Sequence, residues 1–152
     1  MISPLLEALL DPKNVVLELR GGTAGEAVWE IVELLRESGG LRSPKELFEA
    51  IMEREQKGST ATNDGVAFPH ARTHLVDEIM LGIGRSKSGV IFPGHEALVH
   101  LIFVIAVPQQ MVNDYLICVG ALARRLDHEG TRQALLAAAT PAEFFERLRD
   151  ES

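Results

Sequence analysis

The chain holds a single cysteine, Cys118, in 152 residues, which excludes an internal disulfide and any cysteine-based metal cluster. It has no basic N-terminal segment followed by a long apolar run, so no secretory signal is expected. Its longest apolar run, residues 98–107, is too short to span a bilayer as a helix and is interrupted by His100. A nucleotide loop is missing too. Gly82-x-Gly84 has neither a third glycine nor a following helix, and no GxxxxGKS or GxxxxGKT run occurs. Basic residues are outnumbered, 15 against 22 acidic, which argues against a nucleic-acid or anionic-membrane surface while leaving room for a local basic pocket. These absences leave a cytoplasmic globular protein, one domain over residues 1–152, large enough to bury ~70% of its unfolded surface.

Helix signals are plentiful. Ser3-Pro4 reads as an N-cap with proline at the first helical position, opening a short helix through Leu10 that Asp11-Pro12 ends. Thr23-Ala24-Gly25-Glu26 fits a capping box. Behind it Ala27, Val28, Ile31, Leu34 and Leu35 recur at helical spacing to about Glu37, where Gly39-Gly40 stops the helix. Ser43-Pro44-Lys45-Glu46 is a second box, with Leu47, Phe48, Ile51 and Met52 as the apolar face and Arg54 at the helix end. Thr140-Pro141-Ala142-Glu143 is a third, opening a last helix that carries Phe144, Phe145 and Leu148.

Between the helices the period changes to that of strands. Residues 15–19 read as a first strand, and Val66-Ala67-Phe68 as a short one after the turn signal Asn63-Asp64-Gly65. Ile79, Leu81 and Ile83 alternate, with Gly82 and Gly84 on a thin face that another backbone can approach. Lys87-Ser88-Gly89 then reads as a turn. Residues 98–107 are apolar on both faces, as in a central strand covered on both sides, and Pro108 ends them. Residues 113–126 are helical, with Leu116, Val119, Leu122, Ala123 and Leu126 facing inward and Cys118 as a small core residue; a short helix follows from Thr131. The fold class is α/β (α+β), a mixed sheet flanked by helices.

Residues 54–72, REQKGSTATNDGVAFPHAR, concentrate the chemistry. A short apolar segment delivers Pro69-His70-Ala71-Arg72, with the hydroxyl pair Ser59-Thr60 upstream. Neutral imidazole carries a free nitrogen lone pair near pH 7 and forms covalent intermediates, and guanidinium groups match phosphate oxygens. His70 is therefore a candidate phosphoryl acceptor, with Arg54 and Arg72 near it in sequence. The competing reading is a strand end with a surface histidine. His70 and His74 are four apart, a metal-ligand spacing on a helix, with Asp77 or Glu78 as a third ligand. Ala71 stands where HExxH needs glutamate, so a metal-dependent hydrolase is a distant alternative. His100 fits a hydrogen-bonded core histidine, and His95 and His128 fit solvated turns.

Arg54-Glu55, Gly58-Ser59-Thr60, residues 65–72 and Gly84-Arg85-Ser86-Lys87-x-Gly89-Val90, in that order, resemble the enzyme IIA domain of the mannitol/fructose type. These domains belong to the bacterial phosphoenolpyruvate-dependent sugar phosphotransferase system (PTS). A chain of this length is most similar to the nitrogen-regulatory IIA branch. The resemblance implies a mainly five-stranded mixed sheet between helices, a phosphohistidine at His70 and a phosphate-binding role for Arg54. It implies no metal and no cofactor. Phosphate would come from an HPr-type phosphocarrier and pass to a IIB domain, or act as a signal on a regulated target. Ser59, Thr60 and Arg72 would supply donors to the phosphoryl oxygens.

Two departures accompany the resemblance. Ala61 and Asn63 stand where the family usually has glycines, and asparagine tolerates left-handed backbone angles. Tyr115 stands where the family usually carries a second histidine; it can donate a hydrogen bond to phosphate but does not become a cation at pH 7. The rival from another class is a IIA-fold binding module that is never phosphorylated and regulates a partner by contact.

Overall fold

The computed structural model describes residues 3–150; residues 1, 2, 151 and 152 of the expected 1–152 span lie outside them. Its centre is β5 (Val99–Pro108), apolar throughout except at His100. Successive side chains on a strand point to opposite faces. Leu101, Phe103, Ile105 and Val107 therefore enter one core, while Ile102, Val104 and Ala106 enter the other. β4 (Met80–Val90) pairs antiparallel with β5, and β1 (Val15–Val16) pairs parallel with β4. Along the other side of β5 run β2 (Val66–Ala67) and β3 (His70–Thr73), both parallel to it. The result is the expected mixed five-stranded sheet. α2 (Ala24–Ser38) and α3 (Pro44–Lys57) cover one face. α1 (Pro4–Glu7), α4 (Val112–Leu126), α5 (Glu129–Leu136) and α6 (Pro141–Arg149) cover the other.

The helix starts fall where the caps put them, with one refinement. Only Thr23 makes the reciprocal box, its hydroxyl accepting from Glu26 N while the Glu26 carboxylate accepts from Thr23 N. Ser43 and Thr140 make the first half alone. Glu143 turns instead to Ala139 N and to Arg147, an ion pair that competes for the carboxylate.

Other expectations are corrected. α1 ends at Glu7, short of Leu10, because Asp11 caps a 3-10 turn over Pro12–Asn14. The first strand shrinks to Val15–Val16. Lys87-Ser88-Gly89 is no turn between strands: β4 runs through to Val90 with an irregular register after Arg85, and Gly89 absorbs it at φ 95°. In α4 the inward positions are Cys118, Ala121, Leu122 and Leu126, whereas Leu116 is 56% exposed and Ala123 faces out.

The thin face of β4 receives side chains, not backbone. A Cβ on Gly82 would lie 2.6 Å from Ile31 Cγ2 and 3.1 Å from Leu35 Cγ, both on α2. Gly82→Ala is therefore expected to lower stability by about 1–3 kcal/mol through overpacking. Gly130→Ala, on α5 with nothing within 4 Å, is expected to raise it by about 0.5–1 kcal/mol. Urea midpoints of the two variants check the opposite signs.

Candidate phosphoryl-acceptor site

β2 and β3 form one extended line interrupted at Phe68-Pro69. Proline has no amide proton to give the ladder, yet Pro69 O still accepts from Ile105 N at 3.0 Å, so the interruption is held against β5. His70 thus opens β3 and does not close β2, as the strand-end reading had it. Its register partner is Ile105, which puts its side chain on the face covered by α4, while Ala71 packs into the opposite core. Tyr115 of α4 lies over the imidazole, ring centroids 5.1 Å apart and planes tilted by 31°.

The imidazole is oriented by its own backbone. His70 Nδ1 lies 2.9 Å from Phe68 O. A carbonyl oxygen can only accept, so Nδ1 carries the proton in this contact and the neutral ring keeps its lone pair on Nε2. One nitrogen is anchored and the other keeps a free lone pair.

Three cationic side chains line a shallow pocket with His70: Arg54 and Lys57 from the last turn of α3, and Arg72 from β3. Arg72 is two residues beyond His70 and shares its side of the strand. Arg54 is exposed, and its Nη1 donates to Gly58 O at 2.9 Å. Burial raises the Tyr115 phenol above its ordinary 10.0, while the nearby Arg54 charge pulls it partly back. At neutral pH Tyr115 is an uncharged hydroxyl. Lys57 does not stand out in the sequence, although its place one turn after Arg54 on a helix end is a legible cue.

The hydroxyl pair divides. The Ser59 hydroxyl is exposed and accepts from Ala61 N at 3.1 Å. Thr60 is committed inward: its amide and hydroxyl both donate to the Glu55 carboxylate, at 2.7 and 2.8 Å. Its hydroxyl oxygen accepts from Phe68 N at 3.1 Å. Glu55 is 5% exposed. In the sequence it passes for part of a charged helix end, yet it continues the inward spacing Leu47, Ile51, Glu55. The left-handed geometry granted to Asn63 falls on Gly65 instead, at φ 82°.

The other histidines lie elsewhere. His70 lies in β3 and His74 in the bend that follows it, so the helical pairing that a metal site needs is not formed. Asp77 is held by Arg42 at 3.1 Å. Among the described residues no group of three potential ligands could hold a metal ion. His100 Nδ1 donates to Ser86 O, as a core histidine should. His95, expected to be solvated, is half-buried with Nε2 2.9 Å from Thr62 O. None of the described helices is long and apolar enough to cross a membrane.

Residues 8–151 match the family model described as phosphoenolpyruvate-dependent sugar phosphotransferase system, EIIA 2. The chain belongs to this family. Membership places it among the carrier and regulatory components of the PTS. Over 131 residues it is 32% identical to the fructose-specific EIIABC component of Bacillus subtilis; the match covers 86% of this chain but only 21% of that protein. The IIA-Ntr nitrogen regulatory protein of Neisseria meningitidis superposes with a TM-score of 0.86 at 29% identity, covering 95% of this chain and 99% of that one. The mannitol IIA of Escherichia coli, solved in complex with phosphorylated IIB, shares the fold with a TM-score of 0.79 at 23% identity, covering 91% of this chain and 96% of that one.

Proposed function

We propose that the chain works in the cytoplasm as a phosphocarrier, accepting a phosphoryl group on Nε2 of His70 from a phosphohistidine of an HPr-type donor. The P–N bond to the donor imidazole breaks as the P–Nε2 bond forms, and the departing imidazole keeps the electron pair. The group then passes to a IIB domain, the kind of partner that the mannitol IIA of Escherichia coli holds in its complex, or stays as a signal. The observation that carries this reading is the Nδ1 contact with Phe68 O, which leaves the Nε2 lone pair free on a ring that lines one pocket with Arg54 and Arg72. Such transfer needs positioning and charge stabilisation and no bound metal. Incubation with energised HPr-type donor should add one phosphoryl group by intact mass, acid-labile and base-stable, and a IIB domain should remove it. No adduct with any histidine-phosphorylated donor would refute the reading.

Tyr115 favours the signalling branch. Phosphorylation adds about −1.5 to −2 charges, and a second histidine could take a proton to offset part of this. A phenol cannot, because it has no basic nitrogen to take a proton near neutrality. Tyr115→His is expected to speed exchange and to add a pH dependence near ~6.5, faster below it, where the new imidazole is charged. Tyr115→Phe is expected to slow exchange. Stopped-flow transfer rates between pH 5.5 and 8.5 (roughly the span over which histidine titrates) check both. Equal rates in all three proteins would reduce Tyr115 to packing and leave the signalling branch without this support.

A further inference from the structure

We propose that Glu55 is a positioning residue for His70, acting through Thr60 and Phe68. A carboxylate that is 5% exposed is costly unless paired or hydrogen-bonded. Among the described residues Glu55 forms no ion pair, and both its oxygens are spent on one residue. Oε2 accepts from Thr60 N at 2.7 Å and Oε1 from Thr60 Oγ1 at 2.8 Å. The threonine hydroxyl, its proton fixed toward Oε1, presents its lone pair to Phe68 N at 3.1 Å. A hydroxyl that donates to a carboxylate is a stronger acceptor, because bonds in a chain polarise one another.

Phe68 is therefore held on its amide side by Thr60. The following residue is held on its carbonyl side, where Pro69 O accepts from Ile105 N at 3.0 Å. The peptide group between these two anchors is the one whose oxygen receives His70 Nδ1–H at 2.9 Å. The path from a buried charge on α3 to the proton of the imidazole thus has no free link. Arg54 and Glu55 are adjacent on the last turn of α3 and divide the work: Arg54 lines the pocket, and Glu55 sets the tautomer of the ring that faces it.

The effect on the ring is independent of phosphorylation; the effect on transfer rate rests on the function proposed above. The test separates the two. Nitrogen NMR of the unphosphorylated full chain, with the His70 signal identified by its loss in His70→Ala, reads the fraction of Nδ1–H tautomer. Thr60→Val, which keeps the shape and removes the hydroxyl, and Glu55→Gln, which removes one acceptor, should each lower that fraction. Both should slow phosphorylation by HPr-type donor by roughly ten- to a hundredfold, the scale of a small misplacement of a reacting group. Thr60→Ser, which restores the hydroxyl, should recover both readouts.

A brace that only stabilises the loop would lower the thermal midpoint and leave the tautomer unchanged, and that result would overturn the proposal. So would a wild-type tautomer fraction in whichever of Thr60→Val and Glu55→Gln folds. Should the wild type take no phosphoryl group, the tautomer measurement still decides the role of Glu55.

Discussion

Replacing His70 by alanine is expected to abolish phosphoryl labelling entirely, while alanine at His74, His95, His100 or His128 leaves it intact. The contrast with His100 is the informative one. His100 also donates Nδ1–H to a carbonyl, Ser86 O, and lies in a groove with Arg85 and Lys87. A fixed tautomer beside basic residues is therefore not sufficient. The difference lies in what the guanidinium groups are doing. Arg85 gives Nε to Leu17 O and Nη1 to Leu135 O and Ala138 O, tying the end of α5 to the segment that follows β1, and cannot turn to a phosphoryl group without releasing those carbonyls. Arg54 makes one exposed bond, to Gly58 O, which water can replace. Radiolabel transfer followed by acid quench and base quench distinguishes phosphohistidine from other linkages, and the alanine variants distinguish His70 from the other histidines; persistent base-stable label in His70→Ala would move the site elsewhere.

Arg54→Ala is expected to slow phosphorylation by roughly one to two powers of ten. A hydrogen bond to a charged group contributes ~1.5–3 kcal/mol, and each ~1.4 kcal/mol is tenfold in rate. Arg54→Lys should recover only part, because a lysine cannot grip two phosphate oxygens at once. The thermal midpoint of both variants should stay close to the wild type, since the bond they lose is exposed. Single-turnover rates with saturating donor measure the effect, and unchanged rates in both would return Arg54 to a helix-end role.

Local chemistry explains which parts of the fold were legible. Helix starts depend on three or four consecutive residues, so Ser3, Thr23, Ser43 and Thr140 announced them. The phase of α4 did not announce itself. Met111 precedes the helix without a side-chain cap, and apolar residues at 115–119 offer more than one inward stripe. The sheet and the loop chose the stripe through Cys118 and Leu122, leaving Leu116 outside. Strand ends are hidden for a related reason: only Val15 and Val16 stay in ladder register with β4, while Leu19 N reaches Arg85 O without continuing the ladder.

At the site, His70, Arg54 and Arg72 could be named from residue type and order, and Tyr115 from the resemblance. The proton on Nδ1 could not, because it depends on where the Phe68 carbonyl points. Nor could the Glu55–Thr60 pairing, which joins residues five apart through a helix end and a turn.

The central claim is that His70 Nε2 is the phosphoryl acceptor, and combined phosphorus and nitrogen NMR of the phosphorylated protein tests it most directly. The predicted result is phosphorus coupled to Nε2 of His70, with Nδ1 still protonated toward Phe68 O. Phosphorus on Nδ1, or on a side chain other than His70, would contradict it.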